Sequence, residues 1–127
     1  MYVVDLDVVS EAARIARGDL TAEALMQATL ARIDAENPKL NAIVSRVDAA
    51  DLKTQACAAD FAWSKGPMHG LPIAVKDLAN MAGLPTSLVS PMFVGKVSMT
   101  TDVAEQRMLN AGAIVVGETN TPEFGLG

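Results

Sequence analysis

At 127 residues, half of them apolar and a fifth charged, the chain holds one domain's worth of sequence and can bury roughly two-thirds of its unfolded surface. Ten Lys and Arg stand against fifteen Asp and Glu, a net charge of −5, and the basic residues are scattered singly from Arg14 to Arg107, which argues against a nucleic-acid or anionic-membrane surface. One cysteine, Cys57, excludes an internal disulfide framework and a multi-Cys metal site, and one histidine, His69, excludes an HExxH zinc site. The start has no basic leader, its apolar runs are interrupted by Asp5, Asp7 and Glu11, and no run approaches the roughly 20 residues that span a bilayer. The expected setting is cytoplasmic.

The first half reads as helices. Val8, Ala12, Ile15 and Ala16 recur at helical spacing and Gly18 is placed to stop them. Thr21 reads as an N-cap with Glu23 in the first turn, followed by the apolar stripe Leu25, Met26, Thr29, Leu30 and Ile33, and Asn37-Pro38 is expected to close that helix. Leu40 to Val44 is ambiguous and reads as an extended segment over the core. A third helix is expected from Asp48 to about Ser64, with Leu52, Ala56, Ala59 and Trp63 on one face and Cys57 packed beside it.

The texture changes at Gly66, where glycine and proline punctuate a loop as far as Pro72. Ile73-Ala74-Val75 is expected as a strand buried on both faces. A loop-rich stretch from Asn80 to Gly95 follows. Thr100 or Thr101 then caps a helix over Asp102 to Asn110, ended by Gly112, and Ala113 to Val116 forms a second buried strand closed by Gly117. Strand, crossover helix and strand make a βαβ unit with parallel strands. The class is therefore α/β, with a helical section over about 1–65 and an α/β section over about 66–127. With two strands and open edges, the sheet reads as incomplete and the chain as cut short.

Lys76 follows directly on the apolar run, and in open α/β sheets sites collect at the carboxyl ends of strands. A lysine desolvated there is usable as a general base; the alternative is a structural lysine neutralised by Asp77. Ser87, Ser90 and Ser98 lie in the loop that follows, none in a glycine-rich turn suited to a nucleophile, and so read as loop hydrogen-bonding groups.

The run from Gly66 to Asp77 closely resembles the GPLHGIPVxVKD segment of the amidase signature family, and the run from Asp102 to Gly125 resembles its RLxxAGAIxxGKTNxPEFG segment. Leu20-Thr21-Ala22-Glu23 and Asn37-Pro38-Lys39-Leu40-Asn41-Ala42 are similar to its N-terminal helices and NPxLNA turn. Three motifs in order and register are a specific signal. The resemblance implies the N-terminal part of an amidase, with helices followed by a βαβ unit and an incomplete mixed sheet. It further implies hydrolysis of amide C–N bonds through a Ser–cis-Ser–Lys triad, with no cofactor and no metal.

Lys76 is the one catalytic residue the resemblance carries over. In the family it would accept, as the neutral amine, a proton relayed through the bridging serine. The family's serines and oxyanion hole lie in a Gly/Ser-rich stretch a few dozen residues past the NxPEFG motif, and this chain stops at Gly127, so by itself it is expected to be inactive. The sequence also departs from the family in two places: Val89 stands where glycine is common, and Glu118 where lysine is, the latter read as a change of surface charge. His69, Asp77, Asn120 and Glu123 are expected to fix loops. The expected partners are a small-molecule amide substrate in the complete enzyme and a complementary C-terminal chain or a second copy, with no nucleic acid and no membrane. Two alternatives stay open: a non-catalytic α/β binding or regulatory module, and, within the enzyme class, the amidase-like subunit of a glutamyl-tRNA amidotransferase.

Overall fold

A computed structural model describes residues 7–127; the Asp5 end of the acidic start lies outside them. Helix α1 (Val8–Arg17) begins at Asp7, whose carboxylate accepts the amides of Val9 and Ser10, each at 3.0 Å, and ends on Gly18 in the left-handed conformation. Helix α2 (Ala22–Leu40) begins at Thr21, whose hydroxyl accepts the Ala24 amide. A second cap comes from far along the chain: the Asp60 carboxylate accepts the amides of Ala22 at 2.7 Å and Glu23 at 3.1 Å. Two of the orphan donors at the helix start are thus satisfied by a side chain at the end of another helix.

Pro38 does not close α2, which runs two residues further to Leu40. Pro38 has no N–H to donate four residues back, and the loss of that one bond does not stop the helix here. Asn37 turns the chain instead, its side chain exchanging hydrogen bonds with the Ile43 backbone at 2.8 and 2.9 Å while Asn41 takes the left-handed cap. The ambiguous segment thereby becomes strand β1 (Ile43–Arg46), whose alternation is masked in sequence by Ser45 on the inward side. Helix α3 (Ala49–Asp60), capped by Asp48, ends earlier than its apolar stripe suggests. Once Asp60 is committed to the start of α2 the chain leaves the helix, and Phe61 and Trp63 are exposed. Cys57 is exposed rather than packed, because α3 buries only the narrow line Leu52 and Ala56.

Strand β2 (Pro72–Lys76) leads through a long loop to helix α4 (Val103–Asn110) and then to strand β3 (Ile114–Thr119). The helix starts on Asp102, not on either threonine. The sheet order is β1-β3-β2, with β2 parallel and β1 antiparallel to the central β3. The βαβ expectation holds, and the third strand makes the sheet mixed. β3 runs through Gly117 to Thr119 and is buried along its first five residues, whereas β2 is an edge strand with Ala74 and Lys76 exposed. The expectation of a β2 buried on both faces fails: Val75 is buried on one face, and Ala74 and Lys76 on the other are exposed.

Two apolar clusters sandwich the sheet. Met26, Leu30, Leu52 and Ala56 of α2 and α3 pack on Ile114 and Val116, while Val75 and Val115 face Met81, Leu84, Met108 and Leu109 on the α4 side. A third cluster joins α1 to the start of β2 through Ile15, Leu20, Leu25 and Leu71. The turn before β2 is pressed against α2. Gly70 has φ +73°, and a Cβ there would stand 2.6 Å from that of Ala22, so only glycine fits.

Candidate functional site

The carboxyl ends of β2 and β3 meet where the sequence reading places its lysine. Lys76 is the last residue of β2, in register with Thr119 of β3. It is exposed, and borders a recess of about 430 Å³ whose walls include Leu78, Ala79, Asp102, Glu105 and Met108.

The loop after Lys76 is fixed by carboxylates. Asp77 is buried, donates its amide to the Thr119 carbonyl at 3.1 Å, and accepts both the amide (2.7 Å) and the hydroxyl of Ser87. Three residues on, the Asn80 amide donates to Asp102 at 2.9 Å and its side chain donates to the same carboxylate at 3.1 Å. These bonds, the backbone one first, hold the Asp102 carboxyl below its ordinary range. Asp102 therefore tethers the loop to the start of α4, which is why its side chain makes no capping bond to its own helix.

The three loop serines are engaged in structure. Ser87 clasps Asp77, Ser90 caps the short helical turn Pro91–Phe93, and the Ser98 hydroxyl donates to the Thr100 carbonyl at 2.8 Å. Between the first two, Leu88 and Val89 both sit at positive φ, +52° and +49°. For a β-branched residue that is a strained conformation, and it falls on the position where the family resemblance puts glycine. The Phe124 amide donates to the Leu88 carbonyl at 2.9 Å, and the Phe124 and Phe93 rings meet edge to face at 6.0 Å. The strained turn is thereby tied to the last residues of the chain.

His69 fixes its loop as expected: Nε2 lies 2.7 Å from the Ala59 carbonyl, which can only accept, so Nε2 carries the proton. Asn120 turns its own loop, its Oδ1 accepting the Thr121 amide. Glu123 is exposed and contributes its backbone carbonyl to the Leu126 amide.

Glu118 departs most from the sequence reading. Its side chain is not a surface charge: the residue is 0% exposed, and neither carboxylate oxygen has a well-formed hydrogen bond. Burial first, then the negative charge of Asp77, pushes its carboxyl up to about 7, with the Ser45 hydroxyl pulling weakly the other way. The signal available in the sequence is the continuation of β3 past Gly117. Reading the strand as closed at that glycine puts Glu118 in a loop.

This local architecture is shared with known proteins. The Amidase family model matches residues 24–127. The chain belongs to the amidase family. It is 36% identical over 120 residues to an acylamidase of Rhodococcus erythropolis, covering 90% of this chain and 24% of that protein. It is 33% identical over 129 residues to a glutamyl-tRNA(Gln) amidotransferase subunit of Streptomyces coelicolor, covering 98% of this chain and 26% of that one. Among solved structures, the peptide amidase of Stenotrophomonas maltophilia superposes with a TM-score of 0.83 at 32% identity, over 94% of this chain and 26% of that one. This amidase-family chain thus spans about a quarter of the length of the relatives it matches, and the partial α/β architecture expected from its motifs is the one observed. No helix among the described residues is long and apolar enough to cross a membrane.

Proposed function

We propose that this chain supplies the lysine end of an amide-hydrolysing site, with Lys76 as the general base. The observation that supports this most directly is position. Lys76 ends β2 on the open edge of a parallel pair, beside a recess, on a loop held by Asp77 and Asp102. Strand ends of this kind are where α/β folds assemble their sites. In that role the neutral amine takes the proton of an attacking serine through a bridging serine, then returns it to the leaving amine. Those serines and the oxyanion donors belong to the Gly/Ser-rich segment that the family resemblance places beyond the NxPEFG motif; Ser87, Ser90 and Ser98 are engaged in holding loops.

A lysine acts as a base where its surroundings disfavour the charged form. Among the described residues β2 carries one neighbour, and Ala74 and Lys76 are exposed. The proposed chemistry therefore needs a further segment laid on the open edge of β2, to cover the amine and bring the serines to it. The substrate class is a small acyl amide. The similarity to an acylamidase and to a peptide amidase supports that reading, and the amidotransferase relatives of comparable identity support the sister chemistry of releasing ammonia from an amide for transfer.

The test is complementation. The purified chain is assayed on an acyl p-nitroanilide alone, then mixed with the rest of the Rhodococcus acylamidase, the part this chain does not cover, expressed as a separate piece. The expected result is negligible hydrolysis by the chain alone, activity on mixing, and loss of that activity by at least about 10³-fold in Lys76→Ala, the order seen on removing one member of a catalytic triad. Equal activity of the mixtures made with wild type and with Lys76→Ala would remove Lys76 from the mechanism.

A further inference from the structure

The buried Glu118 is used by none of the chemistry above, and it sits one residue from the contact that fixes the lysine loop. We propose that Glu118 is a positioning residue: holding its proton, it keeps the end of β3 packed against the loop that follows Lys76, and losing that proton releases the loop. The inference rests on the reading of Lys76 as the working end of the site.

The geometry carries it. Glu118 stands in register with Val75 of β2 on one side and Ser45 of β1 on the other. The next residue, Thr119, offers the carbonyl that accepts the Asp77 amide, and the Asp77 carboxylate in turn holds Ser87. One peptide unit therefore separates a fully buried carboxyl with no well-formed hydrogen bond from the bond that anchors the residue after Lys76. As the neutral acid, Glu118 can remain inside. As a carboxylate it has only the weak pull of the Ser45 hydroxyl to set against burial and the charge of Asp77, and the easiest relief is rotation of the β3 end to bring it to water. That rotation carries the Thr119 carbonyl away from Asp77.

The charge that acts on Glu118 is the negative one of Asp77, opposed by the hydroxyl of Ser45. From β2 come Val75 in register, the exposed Lys76 one place on, and then Asp77. From β1 come Ser45 and, at the next place, Arg46, whose guanidinium is held by Asp34 at 2.8 Å. Helix α3 presents Leu52 and Ala56 to the cluster that includes β3; its Asp51 and Lys53 are exposed, and Asp60 is engaged at the start of α2. The direction of the Glu118 shift, upward to about 7, agrees with this inventory and places the release near neutral pH.

The experiment is a nuclear magnetic resonance titration of the whole chain from about pH 5.5 to about pH 8.5, wild type and Glu118→Gln, a range that brackets the displaced carboxyl. Two signals are followed: the Glu118 carboxyl carbon, and the scalar coupling across the hydrogen bond from the Asp77 amide to the Thr119 carbonyl. In the wild type the coupling is expected to be present at the acid end and to vanish with the midpoint of the Glu118 carboxyl, with Ser87 amide exchange across that midpoint rising about tenfold more than in Glu118→Gln. In Glu118→Gln the coupling is expected to persist to the alkaline end. A coupling that survives the Glu118 titration in the wild type, or fails at a different midpoint, overturns the proposal, as does a Glu118 carboxyl that titrates in the ordinary carboxylate range. The wild-type signals decide even where Glu118→Gln does not fold. None of these readouts requires turnover, so failure of the Lys76 reading would leave them unchanged, and their failure would leave the complementation result unchanged.

Discussion

Replacing Glu118 by Gln should change how the stability of the fold depends on pH, and the size of the change follows from the site. A free glutamate titrates near 4.5; in the fold this carboxyl is pushed to about 7, chiefly by burial and secondarily by Asp77. Below pH 4.5 the folded and unfolded chains both hold the proton, and nothing is lost. Between 4.5 and about 7 the unfolded chain releases its proton while the folded chain keeps it, so stability falls as pH rises. Above about 7 both states are ionised and the loss is complete. Each pH unit is worth about 1.4 kcal/mol, so the interval of about 2.5 units corresponds to at most about 3.5 kcal/mol, less whatever the release of the β3 end recovers. Glutamine keeps the shape without the charge. The variant and the wild type should therefore unfold alike at about pH 4, and at about pH 8 the variant should be the more stable by about 1 to 3 kcal/mol. With a urea dependence of about 2 kcal/mol per molar for a chain of this size, that difference moves the unfolding midpoint by roughly 0.5 to 1.5 M. Urea unfolding followed by circular dichroism at the two pH values measures it. Because the quantity is the difference between two chains, other titrating groups cancel. The same offset at both pH values would show that Glu118 is not a buried acid with a displaced titration, and the reasoning would fall with it.

The strained turn beside Asp77 gives a second prediction. Val89 at φ +49° costs of the order of 1 to 3 kcal/mol, and glycine forfeits only about 0.5 to 1 through chain entropy and a little half-buried surface, so Val89→Gly should raise thermal stability by up to about 1 kcal/mol. A melting temperature that drops would mean the turn is not strained as described. A third concerns the long-range cap: Asp60→Ala removes the acceptor for the Ala22 and Glu23 amides and should cost about 1 to 2 kcal/mol, with Asp60→Asn recovering part, both read from urea midpoints. No loss in Asp60→Ala would show that water serves those amides equally well.

Much of the fold is legible in the sequence because it rests on local chemistry. The apolar period of α1 and α2, the cap at Thr21, the stop at Gly18 and the βαβ order are all set by residues within a few positions of each other. What the sequence conceals depends on distant partners. Helix α3 looks longer in sequence because nothing local says that Asp60 is claimed by the start of α2. β1 is ambiguous because a four-residue strand with serine inward has no clear alternation, and it exists only because β3 offers an edge. Trp63 falls on an expected core face to which the helix does not extend, and Cys57, within the helix, lies outside a buried line that holds only Leu52 and Ala56. The motif around Lys76 singles it out as the proposed base, whereas the polar framework that holds its loop is not legible in the sequence. Asp102 reads as the first residue of a helix rather than as the tether of Asn80, because that pairing spans 22 positions.

Glu118 is the more instructive miss, because a charged residue in sequence invites an exposed reading. Gly117 looks like the end of a strand; in the fold its extended φ of +159° lets the Ser45 carbonyl approach to where a Cβ would stand, and β3 continues beyond it. The same close approach that makes glycine necessary carries the next residue, whatever its charge, into the interior. Where family members carry lysine at this position, the cation would lie beside the charge of Asp77 and find a partner there; with glutamate the charge is reversed, and the pair repels. A substitution that reads as a surface change therefore converts an attractive contact at the end of β3 into one that depends on a proton. On this account Glu118→Lys should keep the fold while abolishing its pH dependence near 7, through attraction to Asp77 rather than through loss of charge. The same pair of urea curves checks it, and a lysine variant that unfolds more easily than wild type at the alkaline pH would show that Asp77 does not reach the side chain at this position.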